Sequence, residues 1–152
     1  IGLCLVGSEM CIRDRASAVD YCFATQHSAI KLSELAIGIG PFVVGPAVER
    51  KMGKSAVTEL AVDASEWRSA EWASQRGLYN YLGVDIDEMD EELSQFISRV
   101  EEYSPEAMRE LKKILWQGTE NWNDLLVDRA KISGRLVLSD FTINAIAKFK
   151  SK

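Results

Sequence analysis

Only one stretch of this chain reads as a buried strand, and it stands ahead of a long train of helices. Val19–Thr25 is short and rich in β-branched and aromatic residues, the pattern of a strand covered on both faces. Ile30–Leu32 is a second short strand or its continuation. After that the helical period dominates. A little β structure followed only by helices is an odd plan for a complete domain. It is a natural back half for an α/β domain whose sheet lies upstream, and α/β is the fold class expected here.

The helix signals are local and physical. Leu35–Gly45 is apolar but punctuated by Gly38, Gly40, Gly45 and Pro41, so it reads as a loop or tight turn. Pro46–Met52 is helical, Gly53 stops it, and Ser55–Val62 is another short helix. Ser69 stands where it can cap Ala70–Arg76, and Gly77 where a helix-ending glycine belongs. Asp87–Val100 carries acids in its first turn and places Met89, Leu93, Phe96, Ile97 and Val100 on one face. Ser104, Pro105 and Glu106 form a strong helix start, running to about Gln117. Asn121–Leu138 holds another helix, weakened at Gly134. Ser139 and Asp140 open a last one over Phe141–Phe149, with Lys148 and Lys150 at its end. No repeat or linker interrupts the series.

Composition excludes several functions. At 152 residues, 47% hydrophobic and 27% charged, the chain suits one modest soluble domain or a piece of a larger one. A net charge of −5 gives no support for binding nucleic acid or an anionic membrane surface. No apolar run reaches the roughly 18–20 residues that a spanning helix needs, and no signal peptide is evident. Cys4, Cys11 and Cys22 lack metal-binding spacing and do not make a disulfide framework. The expectation is a reducing, cytoplasmic location with no metal.

The first fifteen residues read differently from the rest. Met10–Arg15 is what the transposon end used in sequencing adapters encodes when translated in frame. Residues 1–15 are therefore read as a non-native remnant and set aside from the fold. The other reading is a real apolar strand, Leu3–Val6, with a turn at Gly7 and Ser8.

From Ala16 the residues fall into a known order. Asp20 opens the strand, and Glu34 ends the short segment Leu32-Ser33-Glu34. Gly38 and Pro41 stand in the following loop, then come Arg50-x-x-Gly53, Ser69-Ala70 and Gly77-Leu78. This ordered set resembles the crotonase superfamily, the enoyl-CoA hydratase/isomerase family. The later helices match it in order and length but hardly in residues. The resemblance implies the C-terminal part of a ββα spiral fold, with residues 16–80 finishing the core and 81–152 forming a helical trimerisation region. It also implies an acyl-CoA thioester as substrate, a homotrimer or hexamer in the full-length protein, and no cofactor beyond the coenzyme A that the substrate carries. No nucleic-acid or membrane partner is expected.

What the resemblance implies for the site starts with Glu34, at the position of the second of the family's two glutamates and hence the catalytic acid–base. Leu32, Leu35, Ile37 and Ile39 around it suit a carboxylate facing a dry pocket. Such burial pushes a carboxyl toward neutrality, which suits proton transfer. The first family glutamate aligns without gaps on Asp14, inside the set-aside segment, and no oxyanion donor is assigned. The chain alone is expected to be inactive and to expose apolar faces. Two further departures concern the loop and the last helix. Phe42 and Val43 replace the family's glycine-rich run and are candidates for lining the acyl pocket, with plain packing an equally natural reading. Phe149 and Lys150, or Lys148, stand where the family's last helix approaches the coenzyme A adenine, although solvated lysines ending a capped helix are the more natural reading.

Other residues carry less. His27 reads as a loop histidine, Cys22 as a core thiol, and Trp67, Trp72, Trp116 and Trp122 as helical core or interface positions. Hydration of a 2-enoyl-CoA through an oxyanion-stabilised enolate is the expected reaction. A double-bond isomerase needing one glutamate is the second reading, and a non-catalytic helical interaction module is the third.

Overall fold

A computed structural model describes residues 3–6 and 16–150, with side chains from residue 16 to residue 148. The strands are β1 (Leu3–Val6), β2 (Tyr21–Thr25), β3 (Ala29–Ile30), β4 (Arg68–Ser69) and β5 (Tyr81–Gly83). The helices are α1 (Gly45–Val62), α2 (Ala70–Gln75), α3 (Ile86–Glu101), α4 (Pro105–Leu115), α5 (Trp122–Val137) and α6 (Asp140–Lys150), with a 3-10 turn at Glu34–Ile37. The chain forms two compact units, and each draws on both sides of residue 80. One takes the chain up to Ile30 and Arg68–Glu120. The other takes Lys31–Trp67 and the chain from Asn121 on.

The first unit is built on a parallel sheet in the order β1-β2-β5. Leu3 pairs with Tyr21 and Val6 with Ala24, while Phe23 pairs with Tyr81 and Thr25 with Gly83. Leu3–Val6 is thus a strand, as in the second reading of that segment; Met10–Arg15 lies outside the described residues. Cys22, Phe23 and Ala24 are buried in succession, as a strand covered on both faces requires. Asp20 does not belong to the strand. Its buried carboxylate accepts from Trp116 Nε1 at 2.6 Å and pairs with Lys112 Nζ at 2.5 Å, tying the end of α4 to the entry of β2. Asn80 prolongs the ladder with its side chain: Cys22 N donates to Asn80 Oδ1 at 2.9 Å, and Asn80 N donates back to Cys22 O at 2.8 Å. Phe96 of α3 covers the strands, stacked on Tyr21 with ring centroids 4.3 Å apart.

The helix starts follow their caps. Ser69 and Ser104 accept from Trp72 N and Ala107 N, as their positions predict. The helix expected from Asp87 begins earlier, at Ile86, because Asp85 accepts from Glu88 N while Glu88 reaches back to Val84 N at 2.7 Å. Further expectations need correcting. Tyr81–Gly83 is a strand where only helices were expected, and Trp67 lies in a loop, not in a helix. The second short strand is Ala29–Ile30, paired with β4 in antiparallel fashion, and does not extend to Leu32.

In the second unit, no strand occurs among the described residues. Its buried apolar side chains include Leu32, Pro46, Ala64 and one stripe of α1: Val48, Met52, Ala56 and Leu60. The stripe recurs every fourth residue, one face of a helix. It crosses a break at Gly53, whose φ of 79° and ψ of 161° lie outside the helical region. Only glycine adopts that conformation cheaply, which explains the glycine in Arg50-x-x-Gly53.

Candidate active site

Glu34 is the first residue of the 3-10 turn that follows β3. Ala36 N donates to Ser33 O at 3.1 Å, Gly38 N to Leu35 O at 3.0 Å and Ile39 N to Glu34 O at 3.0 Å, which closes the turn on itself. Gly38 has a φ of 84°, so the chain reverses through a left-handed residue. One carboxylate oxygen of Glu34, Oε2, is shielded from solvent. The apolar surroundings are thinner than expected. Leu32 is fully buried, but Leu35 is 47% exposed and no residue of the turn itself is buried.

The back of the turn is filled by the last helix. A Cβ on Gly38 would lie 2.5 Å from Phe141 Cδ1 and 2.8 Å from Thr142 Oγ1. Glycine is therefore required there twice, for its backbone angle and for its lack of a side chain. Thr142 is fully buried, and Ser139 holds it: Thr142 N donates to Ser139 Oγ at 3.3 Å, and the two hydroxyl oxygens lie 3.2 Å apart.

The loop beyond the turn carries the two acyl-pocket candidates. The Phe42 ring folds back over Gly40, where a Cβ would meet Phe42 Cζ at 2.5 Å. Phe42 is half-buried there, and Val43 is exposed. Gly45 N donates to Pro41 O at 2.8 Å and starts α1. Arg129 of α5 approaches the same loop, its Nη1 3.5 Å from Phe42 O. Glu34, Phe42 and Val43 thus share one segment between β3 and α1. Phe149 and Lys150 fall in the last turn of α6, and their side chains lie outside the described residues.

The remaining sequence candidates do not form a second site. His27 is exposed in the turn between β2 and β3, and Cys22 is a buried free thiol. None of the four tryptophans is fully buried; Trp72 sits beside Arg76 and Trp67 beside Lys31. Among the described residues no group of three or more His, Cys, Asp or Glu can hold a metal, and no helix is long and apolar enough to cross a membrane. Sequence reasoning missed Thr142 and Phe141 as partners of the Glu34 turn. The only local hint was the Ser139-x-x-Thr142 spacing of a helix start.

The architecture is shared with solved structures. The chain superposes on an enoyl-CoA hydratase/isomerase from Pseudoalteromonas atlantica with a TM-score of 0.81 at 15% identity, covering 99% of this chain and 59% of that one. An enoyl-CoA hydratase from Mycobacterium avium subsp. paratuberculosis gives 0.81 at 20% identity, covering 99% and 60%. An enoyl-CoA hydratase from Bacillus halodurans gives 0.79 at 18% identity, covering 97% and 57%. The chain therefore has a crotonase-like fold and spans about 60% of the length of these structures. No curated protein matches it in sequence. The profile of the enoyl-CoA hydratase/isomerase family matches residues 14–133, and the chain belongs to that family.

Proposed function

We propose that this chain is the C-terminal part of an enzyme that hydrates a 2-enoyl-CoA thioester, with Glu34 as a proton-transfer group. The observation that carries the reading is the placement of Glu34 on a closed turn, with one carboxylate oxygen shielded from solvent. A proton-transfer group must be held in a fixed geometry to act in the transition state. Hydration adds the hydroxyl of water at Cβ while the Glu34 carboxylate takes up the water's other proton, and the double-bond electron pair moves onto the thioester oxygen as an enolate. Glu34 then delivers a proton to Cα, and the carbonyl re-forms. Amide donors for the enolate oxygen are a requirement of this chemistry, and none is assigned to this chain.

Phe42 and Val43 follow Glu34 closely enough in the chain to bound the acyl group, and Phe149 and Lys150 are proposed to meet the coenzyme A. The apolar side chains of Leu111, Ile114 and Leu115 stand exposed on α4. Exposed apolar patches of this kind are characteristic of subunit contacts, which supports assembly of the complete protein as a trimer or hexamer.

The test is turnover of 2-enoyl-CoA and 3-enoyl-CoA by the complete protein and its Glu34→Gln variant. Loss of the conjugated 2-enoyl chromophore with water uptake is expected, with kcat lowered about 10²–10⁴-fold in the variant and KM little changed. Full activity in Glu34→Gln, or no consumption of 2-enoyl-CoA, removes this reading. Conversion of 3-enoyl-CoA into 2-enoyl-CoA without hydration selects the isomerase instead.

A further inference from the structure

We propose that the first turn of α6 is a positioning element for Glu34, acting through Thr142 and Phe141 on Gly38. The inference rests on the reading of Glu34 as the proton-transfer group, and adds to it the residues that hold that group in place.

Three observations converge on this contact. Gly38 is left-handed and has no room for a Cβ, and the atoms that occupy the space are Phe141 Cδ1 and Thr142 Oγ1. Thr142 and Ser17 are the fully buried polar residues among those described. A buried hydroxyl costs stability unless it is hydrogen-bonded, and Ser139 supplies that partner while capping the helix. The same cap therefore fixes both where α6 begins and which way the Thr142 hydroxyl faces. Phe141, by contrast, is 65% exposed. An aromatic ring left mostly in water gains little by burial alone, yet its edge is set against Gly38.

Gly38 also ends the Glu34 turn. Its N–H and that of Ile39 close the hydrogen bonds onto Leu35 O and Glu34 O. Pressure on Gly38 is therefore transmitted to the backbone that carries the Glu34 side chain. If α6 shifts, the turn loses its outer wall, and the carboxylate loses its fixed approach to the substrate. A displacement of about 1 Å at a reacting group is enough to cost on the order of 10²-fold in rate. Thr142 and Phe141 are positioning residues in this scheme. Neither touches the substrate.

The experiment uses the complete protein and the variants Thr142→Ala, Thr142→Ser, Phe141→Ala and Glu34→Gln. Amide hydrogen exchange at Gly38 and Ile39 reads the turn, with the Ala56–Leu60 amides of α1 as an internal control, and 2-enoyl-CoA turnover reads the chemistry. Thr142→Ala is expected to speed exchange at Gly38 and Ile39 but not in α1, and to lower kcat about tenfold with KM unchanged within about twofold. Thr142→Ser keeps the hydroxyl and restores both. Phe141→Ala, whose ring is mostly in water, removes no core and gives a smaller change in the same direction, even where Thr142→Ala fails to fold. The inference falls if Thr142→Ala and Phe141→Ala leave exchange at Gly38 and Ile39 unchanged. It also falls if exchange rises with kcat unaltered while Glu34→Gln is impaired. A silent Glu34→Gln overturns the underlying assignment of Glu34, and the inference with it.

Discussion

The two compact units are held by different means. In the unit built on β2, order comes from the backbone. Three parallel strands exchange hydrogen bonds, Asn80 extends the ladder with a side chain, and the Asp20 carboxylate fixes the strand entry against Lys112 and Trp116. In the unit that carries Glu34, the described residues contain no strand. Geometry there rests on single positions: the left-handed Gly38 and Gly53, the α1 stripe and the buried Thr142. A ladder spreads the cost of one lost contact over many bonds. A turn held by a glycine and two side chains does not. The proposed catalytic group thus sits where one substitution reaches furthest, so the precise placement a reactive site needs depends on few residues.

The largest effect expected in the first unit comes from Asp20. Its side chain is 4% exposed, while Lys112 is 41% exposed, so solvent screens only the lysine end. Asp20→Ala leaves the Trp116 indole N–H without its acceptor and is expected to destabilise the protein by about 2–3 kcal/mol in chemical denaturation. Asp20→Asn keeps an acceptor for Trp116 and loses the charge, so about half that loss is expected. Residue-resolved hydrogen exchange sharpens the comparison: β2 and β5 should open more readily while the α1 amides change less. Equal acceleration everywhere would show one cooperative structure and end the distinction between the units.

Gly53→Ala makes the converse test, with an expected loss of about 1–2 kcal/mol. No atom lies within 4 Å of a Cβ built on Gly53, so the penalty is purely that of the backbone angle. The damage should appear in exchange along Gly45–Val62 and spare β2. A neutral Gly53→Ala would mean that the break in α1 straightens at little cost, and that this unit is less dependent on its glycines than the structure implies.

The same contrast decides what was legible in the sequence. Helix starts were readable because caps are local: Ser69 and Ser104 each bond an amide three residues on. β2 was readable because its burial is continuous. β5 was not, since three residues show no period and their partners on β2 are far away in the chain. Glu34 was singled out by the ordered family pattern and not by its surroundings, and the exposed Leu35 shows how little the local apolar run decided. The Gly38 turn could be expected from glycine alone. That its wall is Thr142 could not, because the contact joins two segments with no shared local signal. The placement of Phe42 over Gly40 was likewise hidden, as a glycine and an aromatic two residues apart do not announce which way the ring folds.

The smallest effect is a pH dependence confined to the first unit. Tyr81 donates its hydroxyl to Glu88 Oε1 at 3.1 Å. Desolvation, followed by the hydrogen bond and the negative charge of Glu88, holds the phenol above its ordinary value of 10.0. The folded protein therefore favours the neutral phenol. The stability this contributes is whole below the ordinary phenol range and is lost as pH rises through the folded-state value. The test is the denaturation midpoint of the protein and of Tyr81→Phe, followed from pH 8 into the alkaline range. The difference between them should be constant up to about pH 10 and then move in favour of Tyr81→Phe. Glu88→Gln should bring the phenol back down by removing the charge, at the added cost of a weaker bond to Val84 N. Curves that run parallel throughout would mean that Tyr81 and Glu88 are solvated independently. The start of α3 would then rest on Asp85 and on the bond of Glu88 to Val84 N, and the first unit would owe that much less to its side chains and more to its ladder.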